Sequence, residues 1–169
     1  MKHSNIAFFV PHVGCPHTCS FCNQRSISGT TVLPTARDIE KGCRQALTEI
    51  TDREHTEIAF FGGSFTAIPR DYMLSLLKAA EPFCQEGMFS GIRISTRPDC
   101  ISREMLEEIL TICERRKMFL FIDECFLDLT DGGDCLTMKP YLQTHQNLFL
   151  LKAFTKSYGM AGLRLGYGL

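Results

Sequence analysis

Residues 57–66 read Glu57-Ile58-Ala59-Phe60-Phe61-Gly62-Gly63-Ser64-Phe65-Thr66, a short apolar run followed at once by two glycines. A short run of β-branched and aromatic residues predicts a buried strand, and the paired glycines predict a turn where that strand ends. An amphipathic stretch from about Arg70 to Cys84 follows and predicts a helix. Together these residues predict one strand–loop–helix unit.

The same order of strand, loop and helix occurs before and after this unit. Residues 6–10 and 92–95 predict strands, and each is followed by a loop and then by an amphipathic stretch. Three such units in a row are typical of an α/β fold with a parallel sheet, in which the loops at the carboxyl ends of the strands form the ligand site. Two further strands, at residues 118–122 and 147–154, extend the prediction to a largely parallel sheet of about five strands.

The composition limits the classes of partner and compartment. The 169 residues fit a single domain, and a formal net charge of −1 provides no bulk attraction to nucleic acid or to an acidic membrane surface. No apolar stretch approaches the length that spans a membrane. The nine cysteines are an odd number in a chain that shows no secretory signal pattern. We therefore expect a cytoplasmic protein with metal-binding and buried cysteines rather than disulfides.

Three cysteines lie in the loop after the first predicted strand, which reads Cys15-Pro16-His17-Thr18-Cys19-Ser20-Phe21-Cys22. Three thiolates at this spacing can bind three irons of a four-iron cluster and leave the fourth iron open to an exogenous ligand. The same residues can instead bind zinc, with His12 or His17 completing a tetrahedral set. The cysteines alone thus predict a metal site of one of these two kinds.

Residues 6–100 resemble the radical S-adenosylmethionine (SAM) enzymes, in the branch that contains the elongator catalytic subunit and the oxygen-independent coproporphyrinogen oxidases. The resemblance rests on the cysteine loop, on Phe60-Phe61-Gly62-Gly63-Ser64-Phe65-Thr66 and on Ile94-Ser95-Thr96-Arg97-Pro98-Asp99. It implies an enzyme that cleaves SAM to a 5′-deoxyadenosyl radical at a [4Fe–4S] cluster. The metal ligands that it implies are Cys15, Cys19 and Cys22.

The same resemblance assigns SAM to the loops at the strand ends. Glycines let the backbone approach the methionine moiety of SAM, and an arginine can pair with its carboxylate. The residues assigned in this way are Phe21, Gly62, Gly63, Ser64, Ser95 and Arg97. For Gly62-Gly63 taken alone, an ordinary turn at a strand end is the alternative. The branch also includes tRNA-modifying enzymes, although the charge of this chain gives no indication of nucleic-acid binding.

A different pattern begins at about residue 118. One strand ends in Asp123-Glu124-Cys125-Phe126, and the next leads into Thr155-Lys156-Ser157-Tyr158-Gly159-Met160-Ala161-Gly162-Leu163-Arg164. This ending resembles the fold-type I pyridoxal-phosphate (PLP) enzymes, with the histidinol-phosphate aminotransferases and threonine-phosphate decarboxylases nearest. The resemblance implies that Lys156 is the catalytic lysine bonded to the cofactor aldehyde, that Asp123 keeps the pyridine nitrogen protonated and that Arg164 binds the phosphate. The alternative for Lys156 is a solvated surface lysine.

Each resemblance covers only part of its family. A radical SAM core needs about twice as many strand–helix units as are found here, and the aminotransferase part lacks counterparts of the upstream phosphate loop and of the small domain. Phe126 stands where many relatives have a tyrosine that bonds to the cofactor, and Ala153 stands where a serine commonly assists with the phosphate. Both catalytic domains are thus expected to be incomplete, and the residues alone predict no preference of PLP for Lys156 over other lysines.

We therefore predict a chimera that joins a partial radical SAM barrel to a fragment of an aminotransferase large domain. The junction is placed within residues 99–105, which assigns residues 1–101 to the first part and residues 102–169 to the second. The main functional hypothesis is a radical SAM [4Fe–4S] enzyme fragment fused to a PLP aminotransferase-like fragment. The alternatives are a PLP-dependent transaminase or decarboxylase fragment, and a zinc-binding or inert remnant. The predicted partners are the cofactors [4Fe–4S], SAM and PLP, with no membrane and a substrate that the residues do not define.

Overall fold

The computed structural model of the protein describes residues 3–11, 32–84 and 88–169. The chain divides into two compact units, Met1–Arg97 and Pro98–Leu169, and each has its own sheet in the described residues. In the described part of the chain, no helix is long and apolar enough to cross a membrane.

The N-terminal unit is built on three parallel strands in the order β1 (Ser4–Phe9), β2 (Thr56–Phe61) and β3 (Gly91–Ile94). Helix α1 (Ala36–Glu49) lies between β1 and β2 in the chain, and helix α2 (Arg70–Ala80) lies between β2 and β3. The predicted strand–loop–helix order and the parallel strand direction are therefore confirmed for these elements. The carboxyl ends of the three strands meet at one edge of the sheet, which we call edge A.

Helix α1 begins where it does because Thr35 caps it. Thr35 Oγ1 accepts a hydrogen bond from the Asp38 backbone N–H (3.3 Å), and Asp38 Oδ2 accepts one from the Thr35 backbone N–H (2.8 Å). This capping box satisfies backbone donors that a first helical turn leaves without intrahelical partners. The apolar face of α1 buries Ile39, Cys43 and Ala46 in the core of the unit. Cys43 is fully buried there, and burial raises the pKa of its thiol to about 12.

The core of this unit is apolar and includes the face of β2 that carries Ile58 and Phe60. Ile58 and Phe60 of β2 and Leu76 of α2 are fully buried. The ring of Phe60 stacks on that of Phe65, with the ring centroids 4.9 Å apart. Full burial of one side chain of this size contributes roughly 1.5–3 kcal/mol to the free energy of folding. These contacts hold the end of β2, and hence edge A, in place.

The C-terminal unit contains one long helix, three strands and one short helix. They are α3 (Arg103–Arg115), β4 (Leu120–Asp123), β5 (Leu148–Ala153), α4 (Phe154–Ser157) and β6 (Gly166–Gly168). The strand order is β4-β5-β6, with β4 parallel and β6 antiparallel to β5. Ser102 Oγ caps α3 by accepting a hydrogen bond from the Met105 backbone N–H (3.2 Å). The buried core of the unit is formed by Leu106, Leu110, Met138, Leu148 and Leu150.

The largely parallel strand direction is confirmed, but the prediction of one sheet of about five strands is wrong. The described strands form two three-stranded sheets rather than one, because hydrophobic periodicity identifies a strand but not its partner. Strand β6, which the sequence did not predict, is antiparallel, and its three residues are too few to show any periodicity. The α/β class is confirmed, whereas a barrel is not shown by the open sheet of the N-terminal unit. The predicted domain boundary at residues 101 and 102 stays a prediction.

The turn at the end of β2 requires glycine. Gly62 and Gly63 have φ angles of 93° and 48°, in the left-handed region that residues with a side chain rarely adopt. A Cβ atom on Gly62 would also lie 2.8 Å from the carbonyl oxygen of Val10, which follows β1. The Val10 backbone N–H in turn donates a hydrogen bond to the Phe61 carbonyl oxygen (2.8 Å). The packing of the chain thus accounts for Gly62 without any ligand.

Replacing Gly62 with alanine is expected to lower the free energy of unfolding by about 1–3 kcal/mol, because the new side chain is strained by the positive φ and contacts Val10. The matched control is Gly91→Ala, since a Cβ there meets no atom within 4 Å. The control is expected to change the free energy of unfolding by less than about 0.5 kcal/mol. Urea denaturation followed by circular dichroism measures both values, and equal losses for the two variants would contradict this account of the turn.

Candidate functional site

The cysteine loop lies outside the residues that the structure describes. It contains the predicted cluster ligands and SAM contact, and the alternative zinc ligands: Cys15, Cys19, Cys22, Phe21, His12 and His17. Among the residues that are described, no group of three or more histidine, cysteine, aspartate or glutamate side chains could bind a metal ion. The metal site therefore stays a prediction.

Ser64 joins the two described loops at edge A. Its side chain is buried, and its Oγ lies 2.9 Å from Thr96 Oγ1 and accepts a hydrogen bond from the Arg97 backbone N–H (3.2 Å). The Phe65 backbone N–H donates a hydrogen bond to the Ser95 carbonyl oxygen (2.9 Å). The predicted SAM residues found at edge A are Gly62, Gly63, Ser64, Ser95 and Arg97. Their proximity follows from the parallel strands, and their contacts with SAM stay predictions.

The predicted PLP residues lie at one edge of the second sheet, which we call edge B. Asp123 is the last residue of β4, at the carboxyl end of a strand parallel to β5. Helix α4 begins directly after β5 and contains Lys156. Arg164 comes two residues before β6, whose Gly166 is aligned with Ala153 at the end of β5. The strand directions therefore bring Asp123, Lys156 and Arg164 to the same edge.

The turn after β4 holds the carboxylate of Asp123. Asp123 Oδ1 accepts a hydrogen bond from the Cys125 backbone N–H (2.9 Å). The intervening Glu124 backbone N–H donates to the Leu151 carbonyl oxygen on β5 (2.9 Å). Burial, helped by the hydrogen bond with Asp123, raises the pKa of the Cys125 thiol to about 12. Edge B therefore has an oriented carboxylate beside a thiol that is neutral at physiological pH.

The amine of Lys156 lies over an aromatic ring. Lys156 Nζ is 5.5 Å from the centroid of the Phe126 ring, within the range of a cation–π contact. Both side chains are exposed, so the amine is accessible to an aldehyde from solution. Phe126 stands where a tyrosine was expected, and in this structure it contacts the lysine through its ring face. The assignment of Lys156 to PLP stays a prediction.

The segment that carries Arg164 folds back on the start of α4. Arg164 has a φ angle of 51°, in the left-handed region. The Phe154 backbone N–H donates a hydrogen bond to the Leu165 carbonyl oxygen (3.1 Å). The Phe154 ring also packs against the rings of Tyr158 and Tyr167, with centroids 5.3 and 5.5 Å away. Helix α4 and the arginine are therefore parts of one folded segment.

A buried ionic group lies next to edge B, and the sequence analysis did not identify it. We call Lys152, Glu124 and Asp128 the Lys152 cluster. Lys152 Nζ lies 2.7 Å from Asp128 Oδ1 and 3.3 Å from Glu124 Oε2, and the side chains of Lys152 and Glu124 are each only 4% exposed. A signal was present in β5, where Leu148, Leu150 and Lys152 alternate onto the buried face. A charge at such a position requires a partner, because an unpaired buried charge is very unfavourable.

The charged groups of the Lys152 cluster all have hydrogen-bond or ion-pair partners. Glu124 Oε1 accepts a hydrogen bond from the Met138 backbone N–H (2.8 Å), and Oε2 accepts one from Thr137 Oγ1 (2.9 Å). Burial acts to lower the pKa of Lys152, but the hydrogen bond to Asp128 and the charge of Glu124 outweigh it and raise that pKa. The hydrogen bond from Lys152 lowers the pKa of Asp128. Lys152 and Asp128 are therefore both charged at neutral pH.

Comparison with known proteins identifies the C-terminal part of the chain. A family profile described as "Aminotransferase class I and II" matches residues 99–169. Histidinol-phosphate aminotransferase of Oleidesulfovibrio alaskensis is 38% identical over 66 residues, which is 38% of this chain and 17% of that protein. The Bacillus subtilis protein of the same name is 34% identical over 64 residues, 37% of this chain and 18% of that protein. This part of the chain is therefore PLP aminotransferase-like.

One further curated relative and one solved structure also match the chain. A protein of Caldanaerobacter subterraneus named "Putative threonine-phosphate decarboxylase" is 35% identical over 84 residues, 50% of this chain and 23% of that protein. The chain thus spans less than a quarter of the length of these curated relatives. The crystal structure of histidinol-phosphate aminotransferase from Clostridium acetobutylicum aligns over 98% of this chain and 60% of that one. The TM-score is 0.39 and the sequence identity is 15%, which is a weak similarity. These matches do not support the radical SAM resemblance, which stays a prediction.

Replacing Lys152 with methionine is expected to lower the free energy of unfolding by about 3–5 kcal/mol at neutral pH, because Glu124 is left buried without its cation. The control Lys156→Met, at an exposed lysine, should cost less than about 1 kcal/mol. The pKa of Asp128 is lowered below its ordinary 3.8, so its share of the stabilisation is complete above that pH and is lost as the pH falls through the lowered pKa. The pKa of Lys152 is raised above 10.5, so its share is complete below that pH and is lost as the pH rises through the raised pKa.

The stability difference between wild type and Lys152→Met should therefore be largest between these two limits. It should narrow below about pH 4 and again above about pH 10.5. Urea denaturation at a series of pH values measures it. A difference that does not vary from acid to alkaline pH would show that the cluster is not ionic.

Proposed function

We propose that residues 98–169 are the cofactor-lysine segment of a PLP-dependent aminotransferase large domain, and that Lys156 is the residue that bonds to PLP. The observation that carries this proposal is the common edge of Asp123, Lys156 and Arg164. It follows from the parallel pairing of β4 with β5 and the antiparallel pairing of β5 with β6. The similarity of residues 99–169 to class I and II aminotransferases supports the same assignment.

The chemistry of these side chains fits PLP. The primary amine of Lys156 matches the cofactor aldehyde, the carboxylate of Asp123 matches a protonated pyridine nitrogen, and the guanidinium of Arg164 matches the phosphate. When bound, PLP supplies an electron sink for the carbanion that forms at the substrate carbon bearing the amine. Asp123 would accept a hydrogen bond from the protonated pyridine nitrogen in a fixed direction, because the Cys125 backbone N–H already orients its carboxylate. Phe126 would shield one side of the Lys156 amine from water.

The names of the matched relatives suggest the class of substrate. Histidinol phosphate and threonine phosphate both carry an amine and a phosphate ester. We therefore extend the proposal to a substrate of that class, which is transaminated or decarboxylated.

A second candidate function belongs to the N-terminal unit. Its three strands are parallel, and Ser64 joins the loops that follow β2 and β3 at edge A. This arrangement supports a ligand site at that edge, since ligands of parallel α/β sheets bind at the carboxyl ends of the strands. We retain as this candidate a [4Fe–4S] cluster on Cys15, Cys19 and Cys22 with SAM at edge A. The cluster would supply the electron for reductive cleavage of SAM.

The sequence alone predicts no preferred lysine for PLP, but the common edge of Asp123, Lys156 and Arg164 predicts that Lys156 is preferred. At substoichiometric PLP, borohydride reduction and peptide mapping should now find Lys156 labelled at least about fivefold more than any other lysine, because a phosphate site and a carboxylate lie at the same edge. Lys156→Ala should abolish the preferred label, and Arg164→Ala should reduce it about tenfold. Arg115→Ala, at an arginine in the last turn of α3, is the matched control and should have no effect. Label spread evenly over the lysines would overturn the proposed function.

Anaerobic reconstitution with iron and sulfide should give a brown protein with about four irons per chain. Cys19→Ala should reduce the iron content, whereas Cys135→Ala, at an exposed cysteine outside the loop, should leave it unchanged. A zinc site predicts a colourless protein with about one tightly bound zinc instead. Elemental analysis and the visible spectrum distinguish the two, and equal iron in wild type and Cys19→Ala would exclude the cluster at these cysteines.

A further inference from the structure

The Lys152 cluster reaches from β4 to helix α4 through a continuous series of polar contacts. Lys152 Nζ contacts Glu124 Oε2 on one side and Asp128 Oδ1 on the other, at 3.3 and 2.7 Å. Asp128 Oδ2 in turn accepts a hydrogen bond from Ser157 Oγ (3.5 Å). None of these four side chains has a role in the proposed PLP chemistry, although Lys152 is a buried cation.

Both ends of this series adjoin a residue of the proposed PLP site. Glu124 follows Asp123 directly in the chain, and Ser157 follows Lys156 directly. We propose that Lys152 is a positioning residue, which sets the place of the Lys156 amine at edge B by tying α4 to the end of β4. This inference rests on the proposed function of Lys156.

The two carboxylates of the series are held unequally. Glu124 is buried and is fixed by hydrogen bonds from Met138 and Thr137 as well as by Lys152. Asp128 is 45% exposed, and of its two carboxylate oxygens one is bound by Lys152. Loss of Lys152 should therefore release Asp128 and helix α4, while β4 stays anchored through Glu124. The effect should fall on the lysine of the site and not on its aspartate.

Three variants distinguish a role of Lys152 in positioning Lys156 from a role in the stability of the fold alone. Lys152→Met alone leaves a buried carboxylate unpaired, so the test uses Lys152→Met together with Glu124→Gln, which removes both buried charges. Ser157→Ala removes only the last contact and leaves the buried pair intact. Lys152→Arg keeps the charge and the hydrogen-bond donors and is expected to match wild type.

The first measurement needs no cofactor. Hydrogen exchange of the full chain, followed by mass spectrometry, should show residues 154–160 exchanging about tenfold faster in the double variant and about threefold faster in Ser157→Ala. Lys152→Arg should match wild type within about twofold. Helix α3 is the internal control, because Leu106 and Leu110 pack on the same core as β5. A purely structural role of Lys152 would accelerate exchange in α3 as much as in residues 154–160.

The second measurement is the share of reduced PLP label on Lys156, which should fall about fivefold in the double variant and recover in Lys152→Arg. Unchanged exchange in residues 154–160, or equal acceleration of α3, would overturn the positioning role. If wild type shows no preferred label on Lys156, the proposed function fails. The exchange experiment then still decides whether Lys152 ties α4 to β4.

Discussion

The parallel register of β4 and β5 is the constraint on which the C-terminal unit depends. With Asp123 aligned to Leu151, Leu148 and Leu150 fall on the buried face of β5. Lys152 shares that face, so its charge meets Glu124 only in this register. A slip of one residue would exchange the two faces of the strand and leave the charge without its partner. Apolar burial and ion pairing therefore select the same alignment, which also brings the end of β4 beside the end of β5.

Polar contacts hold the loops at both sheet edges. At edge A, the contacts are between hydroxyls and backbone groups around Ser64, and a close approach to Val10 explains Gly62. At edge B, the organising contacts are ionic and extend from the buried Glu124 to the α4 helix.

Local signals in the sequence predicted much of the fold. Periodicity identified every described strand but β6, with ends displaced by only a residue or two. Pairing between distant strands has no local signal, and so the separation into two sheets was missed. The Lys152 cluster was missed for the same reason, since Glu124 and Lys152 lie 28 positions apart.

The residues of the candidate site could be predicted from the sequence, but their contacts could not. Motif resemblance identified Asp123, Lys156 and Arg164, and strand direction brought them to one edge. The contact between Lys156 and the Phe126 ring was not predicted, because it depends on the backbone path after two different strands. Residues in the cysteine loop are not described by the structure, and their assignment depends on sequence spacing alone.

Strand β6 has a consequence for the behaviour of the protein in solution. It occupies the outer side of β5 with three residues, and side chains on Gly166 or Gly168 would collide with the Lys152 carbonyl oxygen or the Phe149 ring. A residue with a side chain at either position would displace β6 and leave the backbone groups of β5 on this side unpaired, as in an exposed edge strand that another chain can extend. The two glycines therefore protect the C-terminal unit against intermolecular sheet growth along β5.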